Sequence, residues 1–120
     1  MAMGEKGNKP IEATGTGAIA VSYAPQEPFE VEEIRLHLDS AATTSENLTV
    51  TQTAGAGSDY DTILLKRDLS VGDVVDLVWR PPGDKPYKFE FDDSLDIAYT
   101  NTDGNTYGLQ VFAKKSGYLG

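Results

Sequence analysis

Short runs of β-branched and aromatic residues alternate with turn residues along most of the chain. From Thr16 onward, clusters of Gly, Pro, Asp, Asn or Ser separate these runs about every eight to twelve residues, a spacing typical of a sandwich or barrel. No apolar stripe of helical period persists over three turns, so no substantial helix is expected. The pattern predicts an all-β fold, a two-sheet antiparallel β-sandwich that is jelly-roll-like and has about eight strands.

The chain divides into an arm and one domain. Residues 1–15 mix Gly, Lys, Glu, Asn and Pro without a hydrophobic period, which predicts a flexible N-terminal arm. Residues 16–120 then form a single β-sandwich domain, large enough to bury its own core. The predicted strands span residues 16–23, 29–38, 47–53, 60–66, 73–80, 86–91, 94–101 and 105–113.

The second predicted strand, residues 29–38, indicates which side chains face outward. Its apolar residues change parity halfway along the segment. A β-bulge at Glu32-Glu33 keeps all of them on the core side and leaves one residue unpaired. Arg35 and His37 then face outward.

The last two predicted strands fit a hairpin with one apolar face. Asp103 and Gly104 belong to its three-residue loop and form a structural turn, in which Gly104 adopts the left-handed conformation. A two-residue Asp-Gly turn would instead mix polar and apolar residues on both faces. The preferred register pairs Asn101 with Asn105, Tyr99 with Tyr107, Ile97 with Leu109 and Leu95 with Val111.

The opposite face of this hairpin carries small and polar side chains, which allow another chain to approach closely. A second candidate contact is Trp79, because the rigid segment Arg80-Pro81-Pro82-Gly83 follows it and would present the indole at a rim. The predicted interface residues are Arg35, His37, Trp79, Ala98, Thr100, Thr106 and Gly108.

Charge and composition exclude several kinds of partner and site. The 120 residues include 19 acidic and 10 basic ones, and the net charge of −9 repels phosphate backbones, so no nucleic-acid partner is expected. No apolar run is long enough to span a membrane, and the first residues lack the apolar region of a secretion signal. The absence of cysteine removes disulfides, thiolate metal sites and cysteine nucleophiles.

Catalytic motifs are absent from the sequence. His37 is the one histidine, and its place in a strand favours a surface or inter-subunit residue over a general base. Asp92 and Asp93 indicate a turn, because no calcium-loop motif accompanies them. We therefore predict no enzyme, no cofactor and no metal site. A bound cation, and a hydrolase built on Asp92, Asp96 and His37, are the alternatives.

Aromatic residues offer another reading, a sugar-stacking platform of the kind found in carbohydrate-binding modules. The candidates are Trp79, Tyr87, Tyr99 and Tyr107. The hairpin register assigns Tyr99 and Tyr107 to the core. Trp79 is the candidate left for a glycan or a neighbouring subunit.

The order of segments resembles that of small β-sandwich structural proteins of tailed-bacteriophage virions. The resemblance runs from about Pro28 to Lys114 and rests on the segments FEVEEIRLHLDSAATTSENLTV, YDTILLKRDLS and DDSLDIAYTNTDGNTYGLQVFAKK. In those proteins an extended arm leads into an I-R-L-H-L strand, and a Y-T-N…T-Y-G-L hairpin closes the chain. The combination of strand and hairpin is what makes the resemblance distinctive.

The resemblance implies a non-enzymatic virion component without a cofactor. The expected role is that of a capsid decoration or cement protein on the outer surface of the head, assembled in the bacterial host cytoplasm. Its partners would be the major capsid protein and other copies of itself, with a homotrimer favoured. The alternatives are a carbohydrate-binding or host-adhesion module and a component of the neck, tail or head fibre.

Overall fold

The computed structural model describes residues 11–115, which form nine strands in two antiparallel sheets. Two short 3-10 helices, Ser58–Tyr60 and Pro82–Asp84, lie in the connections. The strands are β1 (Ile11–Gly15), β2 (Ile19–Tyr23), β3 (Phe29–Leu38), β4 (Asn47–Thr53), β5 (Thr62–Asp68), β6 (Asp76–Trp79), β7 (Tyr87–Phe89), β8 (Ser94–Tyr99) and β9 (Tyr107–Lys115).

Neither sheet is built only from strands that are consecutive along the sequence. The five-stranded sheet has the order β1-β9-β3-β6, and β7 also pairs with β3. The four-stranded sheet has the order β2-β8-β4-β5. The predicted two-sheet antiparallel β-sandwich is therefore confirmed, with nine strands in place of about eight.

Buried and exposed residues alternate along the strands, and the buried ones form the core between the sheets. β3 is the longest strand, and its register against β9 shifts between Val31 and Glu33, which confirms the predicted bulge. Because the shift restores the parity, Phe29 at one end and Leu38 at the other are both buried. β8 and β9 contribute alternate buried residues to the same core.

The predicted flexible arm, residues 1–15, is wrong for its last third. Residues 11–15 form β1, which pairs with β9 from Ile11 opposite Val111 to Gly15 opposite Tyr107. Backbone pairing stabilises this strand although few apolar side chains support it. The remaining part of the predicted arm lies outside the described residues.

The predicted hairpin between the last two strands is also wrong. β8 pairs with β2 and β4, whereas β9 pairs with β1 and β3 in the other sheet. Tyr99 and Tyr107 are both buried, as the alternation predicted. That alternation is the same for strands that lie side by side and for strands that face each other across a core. The segment between them therefore crosses from one sheet to the other.

Candidate functional site

Polar side chains from four strands surround a depression on the outer face of the five-stranded sheet. In one row across the sheet, Thr14 of β1 pairs with Gly108 of β9, which pairs with His37 of β3, which pairs with Asp76 of β6. In the next row, Glu12, Gln110, Arg35 and Val78 follow each other across the same strands. The depression has a volume of about 460 Å³.

The absence of a side chain at Gly108 creates the floor of the depression. A Cβ atom built at this position meets no other atom within 4 Å. The neighbours in the row, Thr14 and His37, are both exposed and rise on either side. A glycine between two side chains thus leaves a gap in a surface that is otherwise covered.

Two hydrogen-bonded pairs form opposite borders of the depression. His37 Nδ1 lies 2.7 Å from Asp76 Oδ1. Gln110 Nε2 donates to Glu12 Oε2 at 2.9 Å. Each pair presents both donors and acceptors to a molecule in the depression.

Arg35 is held beside the depression by contacts on the same face. Its guanidinium carbon lies 4.6 Å from the centroid of the Phe112 ring, a cation–π distance. It donates to the carboxylate of Glu33, which also accepts a hydrogen bond of 2.8 Å from Arg80 Nε. The hydrogen bonds from Arg80 and Arg35 lower the pKa of Glu33, so this carboxylate stays charged and fixes Arg35 in place.

The outer face of the four-stranded sheet is built differently. Its central positions, which we call the small-residue face, are Ala20, Ser22, Thr49, Thr51 and Ala98. Ala20 pairs with Ala98, which pairs with Thr49, and Ser22 and Thr51 occupy the next row. These side chains are short, so the face is flat and another backbone can approach it closely.

Asp96 lies within the small-residue face without disturbing it. Burial raises the pKa of its carboxyl, but hydrogen bonds from Ser22, Thr53 and Ser94 outweigh this effect, and the pKa is lowered. Thr53 Oγ1 lies 2.5 Å and Ser94 Oγ 2.8 Å from Asp96 Oδ2. The charge is thus compensated by neighbouring hydroxyls.

The small-residue face ends at an edge strand with exposed apolar side chains. Within residues 11–115, β5 pairs with β4 alone. Ile63 lies opposite Thr51 and is 60% exposed, and Tyr60, just before β5, is 67% exposed. Lys66, opposite Thr49, adds a positive charge at this border. We call these residues, Tyr60, Ile63 and Lys66, the β5 edge.

The structure brings together some of the predicted interface residues and separates others. Arg35, His37 and Gly108 meet at the depression. Ala98 lies on the opposite outer face, so Ala98 and Gly108 do not share the one surface that the predicted hairpin gave them. Thr106, just before β9, is exposed, and its backbone N–H donates to Asp39 at 3.1 Å. Thr100 is likewise exposed, just after β8.

Trp79 does not form the predicted platform. It pairs with buried Ile34 and therefore points inward, where it packs against the core in a partly buried position. Val78 takes the outward position and is 54% exposed. The strand alternation, and not the Pro-rich segment that follows, decides the direction of the indole.

The predicted structural turn is confirmed. Gly104 has a φ of 70° and donates its N–H to the carbonyl of Asn101 at 3.0 Å. The Asp103 carboxylate accepts hydrogen bonds from the hydroxyls and backbone N–H groups of Thr43 and Thr44. These bonds, the Thr44 hydroxyl first, lower the pKa of Asp103 to about 2. The turn therefore fastens the β3–β4 loop to the β8–β9 crossing.

The histidine of the alternative hydrolase is separated from its carboxylate Asp96. His37 lies on one outer face and Asp96 on the other. Asp93 is buried in a turn. Burial raises the pKa of its carboxyl, but hydrogen bonds from the N–H groups of Glu90 and Gly55 and from the Gln52 side chain outweigh this effect, and the pKa is lowered. The predicted turn at Asp92-Asp93 is thus confirmed. Among residues 11–115, no three His, Asp or Glu side chains cluster as metal ligands.

The class defined by these features is a two-sheet antiparallel β-sandwich with one polar, concave outer face and one flat, small-residue outer face. No family model matches the chain, and no curated protein matches it either. The described part of the chain contains no helix with the length and hydropathy of a membrane span.

Proposed function

We propose that this chain is a non-enzymatic structural protein of a tailed-bacteriophage virion. Its role is that of a decoration or cement protein, which binds the outside of the head and bridges neighbouring subunits of the major capsid protein. The observation that carries the proposal is the small-residue face, bordered by the exposed side chains of the β5 edge. The sequence resemblance to virion proteins supports the same role.

A flat face suits a protein whose task is to cover a lattice. Stable protein interfaces bury roughly 1,200–2,000 Å², and short side chains let two surfaces approach over such an area without costly ordering of long ones. Tyr60 and Ile63 supply the apolar anchors at its border. Contacts of this kind are individually weak, and repetition over the lattice makes them effective.

Charge supports a place on the outer surface of the particle. The chain carries a net charge of −9, which keeps copies soluble and disfavours contact with packaged DNA. The exposed basic residues Lys66 and Arg67 stand out on β5 and complement an acidic border on the partner. The protein would assemble onto heads in the bacterial host cytoplasm.

We further propose that the protein is a homotrimer. Within residues 11–115, β2 and β5 are the two edges of the four-stranded sheet, and a head-to-tail contact between β2 of one copy and β5 of the next gives a closed trimer when each copy is rotated by a third of a turn. Light scattering coupled to size exclusion is expected to give three times the chain mass of 12.9 kDa. A monomer mass at all concentrations would contradict the trimer.

Capsid binding through the small-residue face is tested by Ala98→Arg. The long charged side chain would hold the two surfaces apart, and binding to heads that lack the protein is expected to fall at least about tenfold. The measurement is cosedimentation with heads of the phage that encodes the chain. Tails and necks of the same phage serve as alternative targets.

The matched control is Thr106→Arg, on an exposed residue outside the small-residue face. This variant is expected to bind heads like the unmodified protein. Equal binding of Ala98→Arg and the unmodified protein would refute the proposed face. Binding to tails or necks instead of heads would assign the protein to those parts of the virion.

A further inference from the structure

We propose that the depression on the five-stranded sheet is a binding site for a neutral saccharide. This goes beyond the structural role in a virion and does not depend on it, because the depression and the small-residue face lie on opposite sides of the sandwich. Its volume of about 460 Å³ falls within the range of small-molecule sites, roughly 300–1,000 Å³.

The hydrogen-bonding groups of the depression match those of a sugar. Each sugar hydroxyl both donates and accepts, so it is best met by a donor and an acceptor placed side by side. The pairs Gln110–Glu12 and His37–Asp76 provide this arrangement at two borders, at 2.9 Å and 2.7 Å. The hydrogen bond within each pair already restrains both of its side chains, which reduces the cost of ordering them on binding.

The charges around the depression favour a neutral ligand over an anionic one. Two carboxylates, Glu12 and Asp76, face one guanidinium, that of Arg35. The guanidinium also contacts the Glu33 carboxylate and the Phe112 ring, so its charge is partly compensated. A phosphate or a sialic acid would meet more negative than positive charge here.

The depression also offers the apolar contact that a sugar ring needs. Pyranose rings present C–H groups on their faces, and these pack against aliphatic surface. Val78 is 54% exposed at one border, and Gly108 opens the floor so that a ring can approach the backbone of the sheet. Filling this space removes water from apolar surface on both molecules.

The test is an NMR titration of the ¹⁵N-labelled protein. The probes are the methyl glycosides of glucose, galactose, mannose and N-acetylglucosamine, each added up to about 50 mM, since an open site that covers one side of a sugar predicts a Kd on the order of 1 mM. We expect at least one probe to shift amide signals of β1, β6 and β9 around Gly108. The amides of the small-residue face should not move.

The decisive variant is Gly108→Val. Its side chain has room, has no unusual backbone conformation to adopt and suits a strand, so the protein should fold while the floor of the depression is filled. We expect it to weaken the binding of that probe at least tenfold, about 1.4 kcal/mol. The matched control, Ala98→Val, adds a similar side chain to the other outer face and should bind normally. Gln110→Ala provides a second test that fills no space.

Three results would overturn the proposal. The first is the absence of any shift with all four glycosides. The second is unchanged binding in both Gly108→Val and Gln110→Ala. The third is tighter binding of sialyllactose than of the neutral probes. Because the titration uses the isolated protein, its failure leaves the capsid measurement with Ala98→Arg unaffected, and the reverse also holds.

Discussion

Asn101→Ala is expected to lower the free energy of unfolding by about 3 kcal/mol, because two independent costs fall on one residue. Asn101 is 4% exposed and has a φ of 55°. Its Nδ2 donates to the carbonyls of Gly17 at 2.9 Å and Asn105 at 3.0 Å, and its Oδ1 accepts from the N–H of Asn105 at 3.2 Å. Alanine leaves the buried carbonyl and N–H of Asn105 without these bonds, removes the bond to Gly17 and keeps the unfavourable φ.

Urea unfolding followed by circular dichroism measures this loss. Asn101→Gly separates the two costs, since glycine adopts a positive φ freely and lacks the amide. It is expected to be more stable than the alanine variant by about 1 kcal/mol and less stable than the unmodified protein. An alanine variant within about 0.5 kcal/mol of the unmodified protein would show that the amide does not hold this crossing.

Asn101 also explains why a hairpin was predicted where the chain crosses between sheets. A turn with Gly104 at positive φ is compatible both with a hairpin and with a crossing between sheets, and this turn is present. In the structure the Asn101 side chain, not a second strand, satisfies the backbone of Asn105. The bonds from Thr43 and Thr44 to Asp103 come from a loop that is distant in sequence, so the residues around the turn do not predict them.

The faces of strands could be predicted because alternation is a local property. The bulge at Glu32-Glu33 followed from the parity of β3 alone, and the register shift against β9 confirms it. The choice of neighbouring strands is not local, since any strand with one apolar face can join either sheet. Pattern therefore predicted the sandwich without its strand order.

The residues of the depression could also be predicted only in part, because they depend on which strands are neighbours. Arg35, His37 and Gly108 were singled out from the sequence, but Glu12 and Thr14 were assigned to the flexible arm. A signal was present, because apolar Ile11 and Ala13 alternate with Glu12 and Thr14 in the pattern of an edge strand. Two apolar residues are too few to distinguish a strand from an arm, and pairing with β9 decides the matter.

The separation of the two outer faces bears on both proposals. A protein that binds a lattice through one face leaves the other face exposed to solvent, where a ligand can reach it. The small-residue face carries hydroxyls and methyl groups, whereas the depression carries the polar pairs described above. Both faces lie on sheets that pack against the same core, so the loss of a well-packed core side chain is expected to disturb both of them.

Phe29→Ala is expected to cost about 3–5 kcal/mol, the loss typical of a large aromatic side chain removed from a core. Phe29 is fully buried, and its ring stacks on Phe89 of β7 at a centroid distance of 4.5 Å. Tyr23 of the other sheet meets it edge-on at 5.0 Å, so the substitution also removes a contact that joins the two sheets.

The matched control for this prediction is Phe91→Ala, since Phe91 is 52% exposed in the β7–β8 turn. The control is expected to change stability by less than about 0.5 kcal/mol in the same urea experiment. Folded domains are stable by roughly 5–15 kcal/mol, so Phe29→Ala would leave the sandwich marginal and Phe91→Ala would leave it intact. Equal effects of the two substitutions would mean that Phe29 is not packed between the sheets. Measurements of capsid and saccharide binding therefore require variants that keep the fold, as Phe91→Ala is expected to do.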